Sequence, residues 1–185
     1  MILKKTFITI IVTYLFLGNI KKCPGTFGSL GAFPILYAVL YLIPSSYQNI
    51  VTLQLFLSII IFTLFIAGIM FSSLYIKNYT KSQDPKEIVI DEVVGQLITC
   101  TISFPSFFII QHKFPSLNSA IINFIFIFLL PFVLFRFFDI LKPWPIHLID
   151  EKVKGGLGVM LDDVIAGIFA AVATYIIVFL ITDFF

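Results

Sequence analysis

Two adjacent pairs of acids, Asp91-Glu92 and Asp162-Asp163, and a single Asp139 set between Arg136 and Lys142 are the residues of this sequence best suited to chemistry. All five stand against apolar runs. Carboxylates crowded beside hydrocarbon repel one another, and they ionise only where a cation compensates. Five carboxylates with no paired His or Cys favour a hard, oxygen-preferring ion, Mg²⁺ first. The two histidines are poorly placed: His112 falls at the far end of an apolar run, and His147 stands alone. A further stretch, Pro24-Gly25-Thr26-Phe27-Gly28-Ser29, opens an apolar segment with two glycines and two hydroxyls, a plausible cradle of backbone N–H groups for an anion. Acids for a divalent ion, beside Arg, Lys and a Gly-rich turn, describe a phosphoryl-transfer site. Other phosphatase chemistries fail on spacing. Six residues after Cys23 and Cys100 stand Ser29 and Ser106, not the arginine a cysteine nucleophile needs, and the sequence has no Asp-x-Asp.

Each stretch also has an ordinary explanation. Asp84-Pro85-Lys86-Glu87 reads as a capping box, with Asp84 at the N-cap and Pro85 in the first helical position. That accounts for Asp84 and Glu87 and leaves Asp91 and Glu92 unexplained. Gly95, four residues after Asp91, leaves room on that face for a close neighbour. Asp139 sits in the last turn of a helix that Pro143 ends near Lys142, and Arg136 and Lys142, each three positions away, could simply pair with it. One of Asp162 and Asp163 could cap the helix that follows, with Gly155-Gly156-Leu157-Gly158 as a flexible approach. Capping does not explain both.

The elements that must position these groups are membrane helices. Of 185 residues, 59% are hydrophobic and only 12% charged, and the mean hydropathy is +1.07. A soluble domain of this size carries about 25% charged residues. Crossing a hydrocarbon core about 30 Å thick takes about 20 helical residues. Apolar segments predict crossings at 29–48, 50–76, 93–111, 119–138 and 164–182, with Pro131 kinking the fourth. The segment 6–18 is too short to cross. It has the basic start of a signal peptide but no small-residue cleavage site, so it is expected to stay and to lie at the interface or pack in the bundle. The expected fold is therefore all-α: one polytopic membrane bundle over 1–185, about five spanning helices plus a short N-terminal helix.

With those crossings, eleven of the twelve Lys/Arg residues share one side, leaving Lys113 opposite, so that side is cytoplasmic. Nine of the ten acids fall there too, all but Asp183, a bias solubility alone does not require. A net charge of +2 and the lack of a basic run with interleaved aromatics give no sign of nucleic acid. Cys23 and Cys100 match no metal-ligand spacing and are expected to be reduced.

The runs PGTFGSL (24–30), DPKEIVIDEVVGQ (84–96), FRFFDILKPWPI (135–146) and GGLGVMLDDVIAG (155–167), in that order, resemble the signature blocks of the phosphatidylglycerophosphatase A family. The resemblance implies a Mg²⁺-dependent integral membrane phosphatase in the bacterial cytoplasmic membrane. It implies a phospholipid substrate in the inner leaflet, phosphatidylglycerophosphate, converted to phosphatidylglycerol and phosphate. Position by position it marks Asp91, Glu92, Asp139, Asp162 and Asp163 as catalytic, metal-binding acids. It marks Thr26, Gly28, Ser29, Arg136 and Lys142 as the phosphate side of the site. Two alternatives stay open: a covalent aspartyl-phosphate on one of the five acids, and a non-enzymatic Mg²⁺ transporter or sensor. Transport sites lie near the bilayer midplane, whereas these acids cluster at segment ends.

Overall fold

The computed structural model describes residues 2–43, 49–80, 82, 85–114 and 120–184. The described residues form helices and connecting turns: α1 (Ile2–Val12), α2 (Pro24–Leu42), α3 (Ile50–Tyr79), α4 (Ile90–Lys113), α5 (Ala120–Leu141), α6 (Ile146–Lys152) and α7 (Gly155–Phe184). Five of these, α2, α3, α4, α5 and α7, are long and apolar enough to cross a membrane. The protein is a multi-pass helical bundle of the kind the apolar segments predict.

α4 is the central helix, with 67% of its membrane-length window buried, whereas α3, more apolar, has only 11% buried. α4 can be central because it carries small and polar residues that neighbours approach closely. Its tightest approach is to α7. A Cβ on Gly95 would strike the Phe135 ring and the Asp163 carbonyl, and a Cβ on Gly167 would strike the Gly95 carbonyl. The Thr99 hydroxyl donates to the Gly95 carbonyl at 2.9 Å and lies 3.2 Å from that of Gly167, tying the crossing together. Small residues at a crossing let backbones touch, which is how helices gain packing energy in lipid. The room expected beside Gly95 is thus filled by α7.

α2 presents Gly25, Gly28, Ala32, Leu36 and Val39 as one buried stripe, small residues first and larger ones below. It therefore leans closest to α4 at its N-terminal end. α1 is one of the two placements expected for the first segment: it packs in the bundle. Ile8 and Val12 are buried with Tyr75, Ile90, Val94 and Met160, and the Val12 carbonyl accepts from Val89 N at 2.9 Å.

That last bond bears on the expected capping box. Residues 85–89 are not helical: Ile88 N closes a turn onto the Pro85 carbonyl, and α4 starts only at Ile90. The tie to α1 holds Val89 out of the helix, so Pro85 is not its first residue. Glu87 instead accepts from the Tyr75 hydroxyl at 3.2 Å; Asp84 lies outside the described residues. The glycine run before Asp162 is a second correction. α7 begins at Gly155, so Gly156 and Gly158 are helical, and Asp162 and Asp163 stand two turns inside the helix rather than at its cap. Gly156 is there for packing, since a Cβ would strike the Ile69 carbonyl of α3. In α5 the irregularity expected at Pro131 takes the form of a π-helical turn, Ile125–Leu129, directly before it. Proline lacks the N–H and crowds the carbonyl one turn back, so the hydrogen-bond ladder loosens there.

Candidate active site

Because α4 and α7 cross in the same direction at Gly95 and Gly167, the residues one turn earlier on each, Asp91 and Asp163, are brought side by side. Asp91, Glu92 and Asp163 each place one carboxylate oxygen within 4.8 Å of the others. Asp91 is 8% exposed and Asp163 3%. Glu92 reaches the other way, toward α2: a Cβ on Gly25 would strike its Oε1 and press on the Arg136 guanidinium. Glu92 Oε2 is buried without a hydrogen-bond partner among the described residues.

These carboxylates line a cavity of about 330 Å³ together with Asp139, Asp162, Arg136, Lys142, Thr26 and the α2 start at Pro24-Gly25. The wall opposite the trio is organised by ion pairs. Arg136 Nη1 pairs with Asp139 Oδ2 at 2.5 Å and donates to the Ser29 hydroxyl at 3.2 Å. Ser29, fully buried, donates in turn to the Gly25 carbonyl at 2.9 Å. Lys142 caps α5 in the left-handed conformation. Its ammonium donates to Asp162 Oδ2 at 2.6 Å and lies 3.1 Å from Asp150 Oδ1. Burial opposes the charge on Lys142, but its bonds to Asp162 and Asp150 outweigh that and hold it above its usual value. The local pairing expected of Asp139 is thus half realised, with Arg136; Lys142 turns to α7 and α6 instead.

The five sequence-predicted acids, Arg136, Lys142 and Thr26 all face one cavity. Gly28 and Ser29 lie behind its wall: Gly28 packs on Val89, and Ser29 reaches the site through Arg136. The segment 24–29 is the first turns of α2; Pro24 has no N–H, and the Thr26 and Phe27 N–H groups donate to the Cys23 carbonyl at 3.0 and 3.4 Å, so of the expected backbone cradle the Gly25 N–H remains. Sequence reasoning missed Lys86 and Cys23 on the cavity wall and Asp150 beside Lys142. Nothing local marks them; only the fold brings them in.

The trio and the ion pairs have different chemical capacities. Among the described residues no cation forms a salt bridge with Asp91, Glu92 or Asp163. Two carboxylates about 4–5 Å apart repel by roughly 3–4 kcal/mol at an effective dielectric near 20. The α4 N-terminus offsets at most about 1–2 kcal/mol of that. The three charges together call for a cation from outside the chain, and their all-oxygen donor set suits a hard divalent ion.

Residues 10–178 match the phosphatidylglycerophosphatase A family. The chain belongs to that family. It is 35% identical over 164 residues to the phosphatidylglycerophosphatase A of Haemophilus influenzae, covering 86% of this chain and 82% of that one. To the Escherichia coli K12 protein of the same name it is 30% identical, covering 83% and 73%. A Bacteroides thetaiotaomicron protein named putative phosphatidylinositol-3-phosphatase is 32% identical, covering 83% and 85%. No solved structure matches. Family membership makes the protein a phosphatase, and the carboxylate-lined cavity is its candidate active site.

Proposed function

We propose that this protein hydrolyses phosphatidylglycerophosphate to phosphatidylglycerol and phosphate, using Mg²⁺ at the cytoplasmic face of a bacterial inner membrane. The observation that carries the reading is the trio of buried carboxylates that form no salt bridge among the described residues, in one cavity with Arg136 and Lys142. Relatives named for this activity support the substrate. The charge bias of the loops supports the orientation.

Asp91, Glu92 and Asp163 would hold the ion, which suits their oxygen donors and the unpartnered Glu92 Oε2. Asp139 and Asp162 lie within reach of the same centre. When bound, Mg²⁺ supplies charge neutralisation on the phosphoryl oxygens and a lowered pKa for a coordinated water. The chain's own residues do the rest. Arg136 and Lys142 take the phosphate oxygens, and the Gly25 N–H and the Thr26 hydroxyl at the α2 start complete that side. Ser29 and Asp139 hold the Arg136 fork in place. Water oxygen bonds to phosphorus, the phosphorus bond to the glycerol oxygen breaks, and that oxygen leaves with a proton. The cavity lies at helix ends, so a lipid presents its phosphate there while its tails stay in hydrocarbon.

The deciding experiment measures phosphate release from phosphatidylglycerophosphate in detergent, with Mg²⁺ and with EDTA. Phosphatidylinositol-3-phosphate and glycerol-3-phosphate serve as comparison substrates. Mg²⁺-dependent release that favours phosphatidylglycerophosphate is expected. Equal release in EDTA would remove the metal from the reading. Preference for the inositol lipid would move the substrate toward that suggested by the name of the Bacteroides relative. A hydroxylamine-sensitive phosphoenzyme would replace direct attack by water with a covalent aspartyl route.

A further inference from the structure

We infer that an acyl chain of the lipid substrate seats in the groove between α2 and α5, directly below the phosphate side of the site. This rests on the lipid-phosphatase reading above and adds the recognition of the tail. The groove has a volume of about 390 Å³ and is lined by Leu30, Phe33, Phe124, Phe128, Leu129 and Phe132, with no polar surface.

Its position follows from helix register. Thr26 lines the head-group cavity, and Leu30 and Phe33 follow it at four and seven residues, on the same face of α2. On α5, Arg136 lines the cavity, and Phe132 and Leu129 precede it at four and seven residues, again on one face. The two helices that hold the phosphate side therefore continue along the outside of the bundle as the two walls of an apolar groove, with Leu30, Phe124 and Leu129 exposed. Phe33 closes the floor edge-on to Phe128, with ring centroids 5.3 Å apart.

The π turn Ile125–Leu129 falls within this wall. Its extra residue per turn displaces the helix face locally, and such turns are frequent where a helix shapes a ligand site. From Phe132 to Phe124 the wall runs about 12 Å at 1.5 Å per residue, enough for a substantial length of extended hydrocarbon. A second apolar cavity of about 290 Å³, between α3, α4 and α7, lacks this continuity: none of its lining residues shares a helix with Arg136 or Thr26. An acyl chain is the occupant that joins an anionic phosphate at one end of a groove to a wholly apolar lining at the other.

The test has two arms on the full-length protein. In the first, kcat/KM is compared for dioleoyl and dihexanoyl phosphatidylglycerophosphate in mixed micelles, for the wild type, Leu30→Trp, Phe132→Trp and Ile102→Trp in the second cavity. Filling the α2/α5 groove should lower the long-chain to short-chain ratio about tenfold, and Ile102→Trp should leave it unchanged. Equal losses on both substrates, or an equal change with Ile102→Trp, would overturn the inference. In the second arm, unmodified protein is photolabelled with a phosphatidylglycerophosphate bearing an acyl-chain diazirine, a readout that requires no turnover. Labelling at Leu30, Phe33 or Phe132 that excess unlabelled lipid displaces is the expected result. Label spread over all lipid-facing helices, undisplaced, would sink the groove even if hydrolysis is normal. Displaceable groove labelling without any hydrolysis would leave the groove standing and refute the enzymatic reading.

Discussion

The α4/α7 wall of the cavity and its α5 wall handle buried charge in opposite ways. On the first, Asp91, Glu92 and Asp163 crowd within 4.8 Å of one another with no salt-bridge partner among the described residues. On the second, each cation already has its carboxylate, Arg136 with Asp139 and Lys142 with Asp162. Charges of one sign held apart from their counter-ion mark a place that takes that ion from outside. Internally paired cations are positioned in advance and exchange part of their pairing for an incoming anion. In the function proposed above, the first wall would hold the metal and the second the phosphate.

The sharpest way to break that assignment is to remove a carboxylate from the trio. Asp163→Asn or Asp91→Asn should lower kcat by about a thousandfold, the scale of losing a charge-stabilising group at a reacting centre. The protein should remain folded and membrane-inserted, because each change relieves repulsion. Near-normal hydrolysis at saturating Mg²⁺ would show that the residue is not a ligand. Next comes the crossing that creates the trio. Gly95→Val should destabilise the protein by about 1–3 kcal/mol through overpacking, seen as a lower Tm in detergent. It should also weaken Mg²⁺ activation, since the acids can no longer approach. A Tm shift with an unchanged Mg²⁺ requirement would separate the crossing from the site.

On the other wall the effects should be smaller and of another kind. Lys142→Ala should raise KM about tenfold while kcat falls less, as loss of uniform substrate binding does. A drop in kcat alone would give Lys142 a transition-state role instead. Because its partners hold Lys142 above its ordinary value, its ammonium stays charged up to about pH 10 and loses its proton only at higher pH. The KM ratio between Lys142→Ala and the wild type should therefore stay flat from pH 7 to 9. The smallest effect belongs to Ser29→Ala, which frees the Arg136 guanidinium on one side and should raise KM roughly fivefold, about 1 kcal/mol. Ser29→Thr, which keeps the hydroxyl, should recover part of it.

The acids were legible because a carboxylate beside a long apolar run is conspicuous in any sequence. The number of crossings was legible for the same reason, since hydropathy records what faces lipid. Where the helices begin was not. α7 starts at Gly155 and α4 at Ile90 because neighbours determine it. A Gly-Gly-x-Gly run looks like a flexible link, but against α3 it is a packing face. Asp84-Pro85 looks like a cap, but the Val89 bond to α1 delays the helix. Ser29 read as a phosphate ligand because it stands with Thr26 in a Gly-rich run of hydroxyls that resembles a family block. Only the fold shows that its hydroxyl is buried between the Gly25 carbonyl and Arg136. The pairing of Lys142 with Asp150 depends on how α6 folds back, and no local pattern encodes that.

The glycine contact between α4 and α7 also determines how the site responds to its surroundings. Helices adapt to thicker or thinner bilayers by tilting, and two rods in backbone contact tilt about the point where they touch. Asp91 and Asp163 stand one turn from that fulcrum, about 6 Å along the axis. Angular changes that sweep the far ends of these helices through large arcs barely alter the gap between the two acids. Activity of this protein should thus be robust to lipid composition and growth temperature.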